Sequence, residues 1–221
     1  MLQKFIKKPS SLSIYITIGG EFNPSIFQPY WLVKQNLVGE NEIPDNSVEI
    51  ISSKVTSIKL DYCVFRVTKN DIRFQTDQLG FLTQSLDLLN GILMSLKTIP
   101  IYGAEISLYT HYDLKDKGKI KAFFQKLSPN DFWTNTLEEF QYKKIKVTKK
   151  KDGKYPSDVD ISITPCPKSD KEIHLNLDDQ YDWSKEGIFF DAKKVKLILD
   201  KEITTSLNHS IDIINKITHV F

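Results

Sequence analysis

Apolar residues recur along this chain with two periods, and the switches between them mark out its elements. Leu12, Ile14, Ile16 and Ile18 alternate with Ser11, Ser13, Tyr15 and Thr17, the period of two expected of a half-buried strand that ends at Gly19-Gly20. Asn23 and Pro24 have the form of a helix cap and first helical residue. Pro29, however, lacks an amide donor and crowds the turn before it, so a short turn over 25–28 and then a helix over Tyr30–Val38 are expected. Three runs rich in β-branched and aromatic residues follow: Val48–Ser53, Val55–Thr68 and Ile72–Thr76. The alternation of the middle run slips near Asp61, which permits a bulge or a break into two strands. Leu79, Leu82, Leu86, Leu89, Leu93 and Leu96 then step by three and four, predicting a helix over 79–98 stopped by Pro100.

The second half replays that order. A strand over Ile101–Tyr112 precedes a helix near Lys115–Leu127, a turn at Ser128-Pro129-Asn130 and a short piece holding Phe132 and Trp133. Strands are expected over Phe140–Lys149, Asp158–Thr164 and Glu172–Asp178, then a loop through Trp183 and Gly187. Val195, Leu199, Ile203, Leu207, Ile211, Ile214 and Ile217 finally place one apolar face on a helix spanning Asp191–Phe221. A helix of that size is about 45 Å long, and a broad sheet is the natural surface for it. The predicted class is α+β: one domain over 1–221, an antiparallel sheet with long helices on one face. The halves 1–100 and 101–221 match in element order, as an internal duplication would, without matching in sequence. The layout is similar to the duplicated saddle of the TATA-binding-protein-like fold, and fold alone licenses no function.

Composition narrows the class without naming an activity. With 221 residues, 40% hydrophobic and 26% charged, the chain is long and apolar enough to bury a core unaided. A net charge of +2 provides no strong overall field toward nucleic acid or anionic membrane, so any such binding must rest on a local patch. The two cysteines, Cys63 and Cys166, lie far apart without C-x-x-C or zinc spacing, the pattern of reduced thiols in a cytoplasmic protein. Lys4, Lys7 and Lys8 precede an apolar run that alternates with polar residues, so a strand is expected there rather than a signal segment, and no membrane span is expected.

Four groups of residues are candidates for chemistry. The basic run from Lys143 to Lys154, with Lys144, Lys146, Lys149, Lys150 and Lys151, could contact phosphates. Its alternative is cross-strand ion pairing with Asp158, Asp160 and Asp178 on a solvated face, with Ile145 and Val147 turned to the core. His174, Asn176 and Asp178 alternate along one strand near Asp179 and Asp182, where the oxygens could hold magnesium or manganese or His174 could act as a base. Outward polar positions on a sheet look the same, and no H-E-x-x-H, G-x-S-x-G or phosphate-loop motif accompanies them, so no catalytic residue, cofactor or metal is assigned. Trp183, Phe189 and Phe190 lie in a long loop and Val220 and Phe221 at the chain's end, where apolar side chains would suit a partner protein.

The runs Gly20-Glu21-Phe22-Asn23-Pro24-Ser25-Ile26-Phe27-Gln28-Pro29-Tyr30-Trp31, Val67-Thr68-Lys69-Asn70-Asp71-Ile72-Arg73-Phe74 and Thr98-Ile99-Pro100-Ile101-Tyr102-Gly103-Ala104-Glu105-Ile106 resemble a sporadically distributed bacterial family of unknown function. The resemblance extends to Leu127-Ser128-Pro129 with Trp133 and to the terminal helix; it implies no catalytic residues, and the patchy distribution suits accessory genes such as phage-defence or mobile-element systems. Apolar and aromatic side chains are plentiful while convergent titratable groups are not. The expected role is therefore a non-enzymatic binding or assembly subunit recognising a protein partner or a second copy. The alternatives are a nucleic-acid-binding protein using a saddle-like sheet face with the Lys143–Lys154 hairpin, and a metal-dependent enzyme using His174 and nearby aspartates.

Overall fold

A computed structural model describes residues 2–44, 47–128, 141–152, 155–184 and 187–220. Its centre is a pair of long strands, β1 (Ser11–Gly20) and β6 (Ile101–Asp113), which run antiparallel with Ile14 opposite Leu108 and Ile16 opposite Ile106. Outward from β1 lie β5 (Asp71–Thr76), β4 (Val64–Thr68), β3 (Val55–Lys59) and β2 (Val48–Ile51). Outward from β6 lie β9 (Glu172–Asp182), β8 (Ser157–Pro165) and β7 (Ile145–Lys151). In each half the first strand sits at the centre, the last beside it, and the earlier ones progressively outward. The result is one nine-stranded antiparallel sheet.

Period-two patterning decides which face is covered. Ile14, Ile16 and Ile18, Leu108, Leu175 and Leu177, and Phe65 and Phe74 all point to one side and are buried in a single core that continues through both halves. Two helices cover that side: α2 (Leu82–Ser95) packs against β5, and α4 (Ala192–Thr218) against β6, β9 and α2. Two shorter helices, α1 (Pro29–Lys34) and α3 (Lys117–Leu127), connect β1 to β2 and follow β6. Asp191 caps α4 by accepting a hydrogen bond from the Lys194 amide at 2.7 Å, and Asp116 caps α3 through the Gly118 amide at 2.8 Å.

Several boundaries move from their expected places for identifiable reasons. α1 starts at Pro29 itself, because proline's missing amide is harmless in a first turn, and it stops at Lys34 instead of Val38. Asn36 takes a left-handed backbone, φ 53°, and the Leu37 amide reaches back to the Leu32 carbonyl at 3.0 Å, the Schellman way of ending a helix. The run Val55–Thr68 breaks in two, with the Leu60 amide bonding the Cys63 carbonyl at 2.8 Å across Asp61. α2 leaves helical geometry at Leu96, before Thr98. The strand expected from Phe140 begins at Ile145; Phe140 itself, the piece with Phe132 and Trp133, Lys154 and Phe221 lie outside the described residues. At Gly103 a side chain is impossible without rearrangement, since a Cβ would stand 2.9 Å from the Tyr181 carbonyl on β9.

Candidate binding surfaces

Away from the helices the sheet presents a polar face whose residues are set by register. Ser107 on β6 stands opposite Asp178 on β9, Tyr109 opposite Asn176, and His111 opposite His174; Asp178 in turn faces Asp160 on β8. The Ser107 hydroxyl donates to Glu105 at 2.9 Å, and the Asn176 amide donates to Asp178 at 2.8 Å. Oδ1 of Asp178 is left buried without a hydrogen-bond partner. Burial pushes the Asp178 carboxyl above its ordinary range, more strongly than the Asn176 amide pulls it down, and burial likewise raises Glu105. Nearby, the Tyr15 and Tyr109 rings meet edge to face at 5.0 Å, and the His111 and His174 rings stack at 4.0 Å. His174 is held below its ordinary pKa by burial first and by His111 second.

The lysine run divides by strand parity. Lys146 reaches Asp160 at 2.7 Å on the polar face, in the cross-strand pairing expected there. Lys151 shares the parity of Ile145 and turns inward, where its ammonium lies 3.1 Å from Asp179, 3.0 Å from the Tyr181 hydroxyl and 3.1 Å from Glu202 of α4. Lys149 stands opposite Val159 and Lys150 opposite Asp158, while Lys144 precedes the strand. Val147, expected in the core, is 54% exposed because the outermost strand has outrun the helix layer. The signal for Lys151 was present in the alternation from Ile145, but the partner carboxylates come from elements 28 and 51 residues away.

The aromatic candidates also separate. Trp183 is buried, its ring 4.9 Å from Phe190, and Phe190 is tied to Ile101 by two backbone hydrogen bonds of 2.9 Å under the Lys194 ammonium. Phe189 alone of the three projects outward, at 61% exposure. Val220 and Ile217 are half-buried against the core, and residues 3–6 run beside the same end of α4, where Asn208 and Asn215 accept from the amides of Gln3 and Ile6.

An apolar surface that the periodicity did not single out lies on β2. This strand is the outer edge of the sheet, and all four of its residues are exposed, including Val48, Ile50 and Ile51. Its sequence marks a strand without giving its place in the sheet; only the strand order reveals an edge.

No protein-family model matches this chain, and no curated protein matches it. The chemistry of the surfaces therefore stands on geometry. Among the described residues no group of three or more His, Cys, Asp or Glu side chains is placed to hold a metal ion, and no helix is long and apolar enough to cross a membrane. Cys63 is buried and its thiol is pushed up to about 12, chiefly by burial, so it is protonated at neutral pH; Cys166 is half-buried and unbonded to it.

Proposed function

We propose that this protein is a non-enzymatic binding or assembly subunit that recognises a protein partner by adding a strand to β2. One observation carries the reading: β2 combines a backbone edge that pairs with no strand among the described residues and three exposed aliphatic side chains. Edge strands normally carry lysine, proline or a cover that discourages pairing, and strand addition uses main-chain hydrogen bonds for affinity and alternate side chains for specificity. The contrast with the other edge is internal to the molecule, since β7 carries Lys146, Lys149, Lys150 and Lys151. Phe189 offers a second exposed anchor.

The polar face favours this over phosphate binding. Charge on that face is mixed, since Glu105, Asp160 and Asp178 share it with Arg66, Arg73 and Lys146, so it offers a polyanion no continuous cationic surface, and the lysine most deeply placed, Lys151, is committed to Asp179 and Glu202. The outward winding of both halves from β1 and β6 supports an internal duplication of the kind seen in the TATA-binding-protein-like saddle.

A photoreactive amino acid placed at Ile51 of the full chain, irradiated in the native host, tests the reading. A discrete protein adduct, lost when Ile50 is replaced by Lys, is expected; irradiation that yields no protein adduct overturns strand addition at this edge.

A further inference from the structure

We infer that β2 pairs antiparallel with β2 of a second copy of this chain across a two-fold axis, joining two sheets into one. The inference rests on the reading of β2 as the docking edge and names its occupant.

The helix layer stops short of this edge. Val48 stands opposite Ile58 and Ile51 opposite Thr56, and both of those β3 residues are fully buried. Val48 and Ile51 nevertheless remain 42% and 41% exposed, because they emerge beyond the cover that protects β3. Ile50, next to an irregularity in register, is 46% exposed. The apolar side of the sheet thus runs out into solvent at β2, and a second β2 would present the same kind of surface to it, so both copies would desolvate aliphatic groups together.

Charge permits self-pairing here and opposes it elsewhere. Like charges set directly against each other are the main obstacle when a strand pairs with its own copy. β2 has one charged residue, Glu49, and its carboxylate accepts a hydrogen bond from the Ser57 hydroxyl of the neighbouring β3 at 2.6 Å, drawn back toward its own sheet. Head-to-tail addition of β2 to β7 would instead propagate without closing. The lysines of β7 disfavour pairing at that edge. Two-fold pairing through β2 consumes one edge per copy and leaves a lysine-bearing edge at each end, so assembly stops at two.

Sedimentation of the full chain, combined with crosslinking from position 51 in the native host, tests this. Between about 1 and about 200 µM, the span in which modest interfaces are populated, a species of twice the 25.5 kDa chain mass is expected. Irradiation should give an adduct of that same doubled mass. Ile50→Lys brings one new cation from each copy to the axis and should weaken self-association by about 100-fold. Because Ile50 is exposed, the thermal midpoint of that variant should match the parent's when both are measured at a concentration where the parent is monomeric, which excludes unfolding as the cause. A monomer at every concentration whose crosslinks capture a different protein overturns the self-pairing and leaves β2 as a docking edge. A monomer with no adduct overturns both. A dimer that survives Ile50→Lys lies on another surface and overturns the inference as well.

Discussion

The ammonium of Lys151 lies 3.1 Å from the carboxylate of Asp179, a side chain with 3% of its surface accessible. The pair joins the edge strand β7 to β9 and, through Glu202 and Tyr181, to α4. Burial lowers the Lys151 pKa, but the Tyr181 hydrogen bond and the Asp179 charge raise it by more, so the lysine is charged throughout the physiological range. Removing one partner of a buried pair strands the other without solvent. Lys151→Met is therefore expected to lower stability by about 2–4 kcal/mol, at or below the usual range because Lys151 keeps partial contact with water. Lys150→Met, opposite Asp158 at a more open position, should change it by less than about 1 kcal/mol. Urea denaturation of the two variants side by side checks this, and equal losses would refute the distinction.

Asp178 makes the polar face sensitive to pH in a defined direction. Its carboxyl is raised in the folded protein, chiefly by burial, so the fold binds the proton more tightly than the unfolded chain does. Its contribution is fully favourable below the ordinary value near 3.8 and is lost as pH rises through the raised one. Asp178→Asn, which cannot ionise, should gain stability over the parent at about pH 7, with the gain shrinking toward about pH 4. Denaturation midpoints at the two pH values decide it; a gain independent of pH would show that charge is not the cause.

His174 contributes with the opposite pH dependence. Burial, and secondarily His111, hold its pKa below the ordinary 6.5, and its Nε2 is buried without a partner. The unfolded chain therefore takes up the proton first, and the stability that neutral His174 contributes is present above about 6.5 and lost as pH falls through its depressed value. His174→Gln should melt at a temperature less dependent on pH between about 7.5 and about 5.5 than the parent. If parent and variant lose the same number of degrees, the stacked pair is not a titrating element.

Much of the architecture was legible because it depends on local periodicity. The alternation from Leu12 to Ile18 and the three-four spacing from Val195 to Ile217 each describe an element that must bury one face, and both appear where expected. The slip at Asp61, which allowed either a bulge or a break, is a break between β3 and β4. The Lys146–Asp160 pair was visible for the same reason: parity alone puts those residues on one face.

Pattern determined which residues of a strand face the same way, and so the α+β class and most of the core. It could not determine which strand lies at an edge, because that turns on the pairings of β1 with β5 and β6 and of β6 with β9, which join parts of the chain that are not consecutive. Tertiary structure placed the Val48–Ile51 run at an exposed rim, and it supplied the carboxylates of Asp179 and Glu202 that hold the inward-turned Lys151. It also brought Asp178 of β9 against Ser107 and Glu105 of β6. Periodicity is a property of one strand; exposure and electrostatic partnership are properties of its neighbours.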